Sequence, residues 1–295
     1  MTDFLQGLGE FFDAVASPTT ALVRNALIAG LIASVTFGIV GGFVVTRRIS
    51  YIAAAISHSI LGGIGASIFL SRSLDWSWCT PLLGSIVSAL ASALVIGMVS
   101  LKAKEREDTI IGAIWATGMA AGVLFIYFAP GPAVNPESFI FGNILLTSKS
   151  DLVITAALGA IVVGVTALNY HKLVAVCFDE EFVRLRGVAA SFYYLLLLCL
   201  MGLSVVLLVR LTGIILAIAL IVLPAATAAR LSQRLWIIMT IAAGLCMIFT
   251  TGGLAFSYPT QTPTGPVVVI FAAAVYGLAL LVKPRRRRRS GSRSS

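Results

Sequence analysis

Hydrophobic positions in this chain gather into long apolar runs, separated by short polar or Pro/Gly-rich breaks. The runs cover residues 21–46, 51–71, 80–100, 110–129, 151–170, 189–209, 211–229, 235–256 and 266–282. Each is close to the roughly 20 residues that a helix needs to cross about 30 Å of hydrocarbon. The pattern predicts an all-α polytopic membrane protein with about nine transmembrane helices. The pair flanking Arg210 leaves eight open: if 189–209 or 211–229 stops short of crossing, one terminus changes side.

Three stretches depart from plain spans. Segment 130–150, PGPAVNPESFIFGNILLTSKS, is polar at its ends and too short in its apolar centre to cross, which predicts a short helix at the outer surface. Segment 211–229 carries Gly213 near its start and Pro224 within it, which predicts a broken helix. Proline removes a backbone hydrogen bond and kinks a helix, and inside a bilayer a freed carbonyl is tolerated only against protein or a cavity. The third, 171–188, is the longest charged stretch assigned to the cytoplasmic side. Its centre, Asp179 to Gly187, predicts a short capped helix with acids at the start and arginines at the end, matching the helix dipole. Phe178, Phe182 and Leu185 fall on one apolar stripe of it, suited to the groove of a cytoplasmic partner or to the bundle's own interface.

Composition agrees with the spans. The 295 residues are 59% hydrophobic and 11% charged, whereas a soluble surface needs about a quarter charged. The net charge of +9 sits in short loops and a terminal arginine run, with no aromatic-interleaved face for nucleic acid. An N-terminus outside places 17 basic residues on the cytoplasmic side and only Arg24, Arg72, Lys149 and Arg210 outside, the orientation favoured by the positive-inside rule. Residues 1–20 hold three acids and no basic residue; they lack the start of a cleavable signal and are taken as an amphipathic lead-in. The transmembrane body is then 21–283, and 284–295 a basic cytoplasmic tail. Cys79, Cys177, Cys199 and Cys246 form no CxxC and are assigned to packing.

Candidate chemistry is sparse. His58 lies within the second span, about 10 Å along it from Tyr51. Ala54, Gly62 and Ala66 stand at four-residue steps around it, a stripe that lets helices approach closely. An intramembrane imidazole, with Ser57 and Ser59 beside it, is either polar glue between helices or a transient ligand for a transition-metal ion. His171, beside Lys172, is assigned to a helix end and its dipole. The chain shows no HExxH, no GxSxG and no set of intramembrane carboxylates, so no catalytic centre is indicated. It also lacks GxxxxGK[ST], so an ATP-driven cycle through that loop needs a separate subunit. A secondary transporter or channel working alone is the other possibility; it predicts inverted repeats, and no convincing repeat is present.

Four stretches in order, RRISYIAAAISHSILGG, FIFGNILLTSKSDL, FDEEFVRLRGV and LTGIILAIALIVLPAATAARL, followed by PTGPVVVI, resemble the permease family of bacterial zinc, manganese and iron ABC importers. The resemblance implies a multi-pass protein of the bacterial inner membrane, paired with a second permease copy, two cytoplasmic ATPases and an extracytoplasmic metal-binding protein. It implies a divalent metal ion as cargo and no permanently bound cofactor. His58, with Ser57 and Asn143, would line the translocation path. Phe178, Asp179, Glu180, Glu181, Phe182, Arg184 and Gly187 would couple to the ATPase, and Gly213 and Pro224 would break the helix. The family often has carboxylates where this chain has Ala54, Asn143 and Gln261.

Overall fold

The computed structural model describes residues 11, 13, 21–102, 107–142, 144, 147–260 and 262–281. The lead-in (apart from Phe11 and Asp13), the basic tail, Asn143 and Gln261 lie outside the described residues. The helices run in chain order as α1 (Ala21–Arg47), α2 (Ser50–Ser73), α3 (Pro81–Lys102), α4 (Glu107–Phe128), α5 (Glu137–Phe141), α6 (Lys149–Phe178), α7 (Glu180–Leu185), α8 (Ala190–Thr212), α9 (Ile214–Leu231), α10 (Leu235–Thr260) and α11 (Thr264–Leu281). All but α5 and α7 are long and apolar enough to cross a membrane, nine among the described residues. Both helices flanking Arg210 are among these nine candidates.

The core lies along α1, α2, α8 and α9, whose buried residues form one continuous cluster. Small residues bring the backbones together, the device that replaces the hydrophobic effect between helices in lipid. On α1, Gly30, Gly38 and Gly42 meet Thr250, Ala243 and Met239 of α10, so these helices run antiparallel. On α2, Gly62 and Gly65 meet Gly118 and Gly122 of α4, numbers that rise together, so this pair is parallel. Gly63 meets Gly84 of α3 from the other side. These directions agree with chain-order alternation of the nine long helices.

Two interruptions differ from expectation. Pro224 lies inside α9, which continues to Leu231; the break falls at Gly213, with φ 83° and ψ 168°, which alone separates α8 from α9. The fifth apolar run does not end its helix at 170. Helix α6 continues to Phe178, so His171 stands exposed seven residues before the helix end instead of capping it. Hydropathy marks where a helix leaves the hydrocarbon, whereas helical hydrogen bonding continues until a residue such as Asp179, extended at φ −154°, interrupts it.

Candidate functional site

Helix α2 holds the residues predicted for the path. Ser57 is fully buried, and its hydroxyl donates to the Ala53 carbonyl of its own helix at 2.8 Å. Ser59 donates to the Ile56 carbonyl at 2.9 Å and accepts from the Ser92 hydroxyl at 2.7 Å, while Ser88 donates to the Ser59 carbonyl at 2.6 Å. The serines therefore stitch α2 to itself and to α3. His58 differs: it is half-buried, and its buried Nδ1 has no hydrogen-bond partner among the described residues. Buried polar atoms normally find a partner, so this nitrogen is the one polar group of the stretch left over by the packing.

The ring of His58 stacks on Trp115 of α4, with centroids 4.7 Å apart and planes 12° apart. The glycine seam makes this possible. A Cβ on Gly118 would lie 2.7 Å from the Ser59 Cα, and one on Gly62 would lie 2.8 Å from the Gly118 carbonyl oxygen. Only glycine lets α4 approach so closely at this level. Ala54, one turn before His58, is buried. No group of three His, Cys, Asp or Glu side chains gathers anywhere among the described residues, so His58 stands without a preassembled ligand cage.

At the far end of α2 from Ser50 lies a cleft of about 270 Å³ between α2, α3, α5, α6 and α8, lined in part by Ile64, Ser85, Ser138, Asp151 and Arg210. His58 is not among its lining residues. The Asp151 carboxylate is fully engaged. Its Oδ1 accepts from Arg210 Nε at 2.9 Å and Nη2 at 2.5 Å, and its Oδ2 accepts from Ser148 Oγ at 2.7 Å and Ser148 N at 3.1 Å. This carboxylate offers little to a cation. Beside it, the backbone turn at Gly142 (φ 58°) lies directly on the turn at Gly213.

At the opposite end of the bundle, α7 forms as its sequence predicts. The Asp179 side chain accepts from the Phe182 backbone N at 2.8 Å, an N-cap, and Glu180 accepts from Arg184 at 3.3 Å. Gly187, at φ 77°, follows its end. Val183 is buried against the bundle, whereas Phe178, Phe182 and Leu185 are 65%, 51% and 83% exposed. The Arg186 guanidinium lies 4.9 Å above the Phe182 ring. Glu181 belongs to the exposed first turn.

Sequence reasoning missed several partners. Trp115 carried a signal, since a tryptophan in mid-span is unusual when most sit at the membrane interfaces. The Asp151–Arg210 pair carried none, its members standing 59 positions apart in the chain.

Comparison with known proteins gives concordant results. A family model described as "ABC 3 transport family" matches residues 19–283. A Chlamydia pneumoniae protein named "Probable metal transport system membrane protein" is 38% identical over 267 residues, 90% of each chain. The manganese import system permease protein ScaB of Streptococcus parasanguinis is 28% identical over 295 residues, covering 100% of this chain and 99% of its own. Among solved structures, PsaBC from Streptococcus pneumoniae in complex with Fab superposes with a TM-score of 0.82 at 27% identity, covering 95% of this chain and 98% of that one.

Proposed function

Because the chain belongs to the ABC 3 transport family, we propose that it is the membrane-spanning permease subunit of an ATP-driven importer that carries a divalent transition-metal ion inward by alternating access. The observation that carries this reading is α7: a capped helix whose apolar side chains Phe182 and Leu185 stand exposed at one end of a membrane bundle, with Phe178, the last residue of α6, exposed beside them. An apolar edge outside the lipid fits a groove on a soluble partner, here a cytoplasmic ATPase carrying the phosphate loop this chain lacks. That end holds Arg47, Arg48, Arg184 and Arg186, so the positive-inside rule makes it cytoplasmic and puts the Asp151–Arg210 cleft outside. A second permease copy and an extracytoplasmic metal-binding protein complete the assembly.

His58 lies on the ion's path. Its neutral imidazole can hold a borderline metal without a permanent charge in the bilayer, and one donor binds weakly enough to release the ion. Ser57 contributes position rather than ligation, since its hydroxyl is committed to Ala53. Asn143 is assigned to the path on family resemblance alone. Manganese is the cargo named for ScaB, and it is the first cargo to test. A lone imidazole ranks zinc above manganese, so selection for manganese would have to come from elsewhere in the assembly.

The test is reconstitution of the chain with a partner ATPase that carries the phosphate loop, followed by ATP-dependent uptake of radiolabelled manganese and zinc into proteoliposomes. Phe182→Asp should remove the ATPase from the purified complex and abolish uptake. Retention of the ATPase at normal yield would sink the docking assignment, and uptake without any ATPase would favour a secondary transporter.

A further inference from the structure

At the end of α1 that faces α7, two consecutive arginines have different fates. Arg48 is exposed and adopts φ 60°. Its backbone N donates to the Val45 carbonyl at 3.2 Å, and that of Ile49 donates to the Val44 carbonyl at 3.0 Å, the paired bonds of a Schellman turn. The turn reverses the chain into α2 within two residues and directs Arg47 back into the bundle, where its side chain is 17% exposed.

There Arg47 meets three other helices. One guanidinium nitrogen donates to the Val176 carbonyl in the last turn of α6, where a cation is favoured by the helix dipole. The other donates to Glu180 Oε2 at 2.5 Å, in the first turn of α7. The guanidinium plane lies 4.4 Å from the ring centroid of Tyr194, in the second turn of α8. Tyr194 in turn donates to Ser100 of α3 at 3.2 Å. Arg47 is thus a junction of α1, α6, α7 and α8, three residues before the helix that carries His58. A planar fork with several donors can serve such a junction; an ammonium cannot reach two acceptors in one plane while stacking on a ring.

We propose that Arg47 is the positioning residue that transmits movement of α7 to the α1–α2 corner, and so links the ATPase cycle to the helix carrying His58. The proposal rests on α7 being the ATPase docking element. A rigid, half-buried, charge-assisted contact moves with either partner, whereas the exposed Glu180–Arg184 pair within α7 contributes little. When the ATPases shift α7, Glu180 carries Arg47 with it, and the tight turn at Arg48 and Ile49 passes the displacement to α2.

The experiment compares ATP hydrolysis with metal uptake in the reconstituted complex for Arg47→Ala, Arg47→Lys, Glu180→Gln and Arg48→Ala. Expected are normal ATPase association and hydrolysis near the wild-type rate in Arg47→Ala, Arg47→Lys and Arg48→Ala; Glu180→Gln lies in the docking segment, so its uptake is compared per ATP hydrolysed by the ATPase that remains bound. Manganese carried per ATP should fall roughly tenfold or more in Arg47→Ala and Glu180→Gln, as for loss of a charge-assisted bond. It should fall less in Arg47→Lys and stay unchanged in Arg48→Ala. A merely structural residue would lower hydrolysis and uptake together. Should Arg47→Ala fail to assemble, Glu180→Gln decides: unchanged manganese per ATP in that variant overturns the proposal. Failure of the docking reading is distinguishable, since Phe182→Asp would then leave the ATPase bound.

Discussion

Gly213→Ala tests the packing beside the Asp151–Arg210 cleft most directly. Gly213 has φ 83° and ψ 168°, a backbone region essentially restricted to glycine, where a side chain costs about 1–3 kcal/mol. A Cβ there would also lie 2.6 Å from the Gly142 N, the Ile140 carbonyl oxygen and the Phe141 carbonyl carbon. All three are backbone atoms, so no rotamer change relieves the clash, and α5 must lift away from the α8–α9 junction. Forced overpacking adds about 1–3 kcal/mol, for a total of roughly 2–6 kcal/mol. At about 2 °C per kcal/mol for a chain of this size, the melting temperature should fall by about 4–12 °C. The assay is thermal unfolding of the purified permease in detergent. Gly244→Ala is the control, since its Cβ would meet nothing within 4 Å, and it should melt at or slightly above the wild-type temperature because alanine favours the helix. If Gly213→Ala melts within about 1 °C of wild type, the α5 turn does not rest on the α8–α9 break, and the Asp151–Arg210 cleft has a different shape from the one described.

Two predictions concern the path and the orientation. If His58 lines the path as proposed, His58→Ala should leave expression and ATPase association intact while lowering manganese uptake sharply; uptake at the wild-type rate would return His58 to a packing role against Trp115. A reporter fused after Arg289 should be active only in the cytoplasm; activity outside would reverse the orientation and with it the assignment of α7.

Local features were legible without coordinates. The apolar spans follow from length, because a bilayer imposes one thickness on every crossing, although eight or nine remained open around Arg210. The α7 helix follows from Asp179 at its N-cap and Gly187 past its end, since caps act within a few residues. The stripe of Ala54, Gly62 and Ala66 pointed correctly to close packing around His58, and Gly62 does meet the backbone of α4.

What the sequence by itself determined, then, is the set of apolar helices, with the choice of eight or nine spans around Arg210 left open, because hydropathy and capping are properties of neighbouring residues. Only the tertiary structure decided which polar groups are left free. Ser57 and His58 are adjacent and equally plausible on the sequence, but Ser57 satisfies itself on Ala53 whereas the imidazole Nδ1 finds no partner once α3 and α4 close around α2. It also separated Arg47 from Arg48, two identical side chains, by the Schellman turn that sends one inward to Glu180, 133 residues away, and leaves the other exposed. Such pairings depend on helix direction and depth of approach, set here by glycine-to-backbone contacts between distant segments, and no local pattern encodes them.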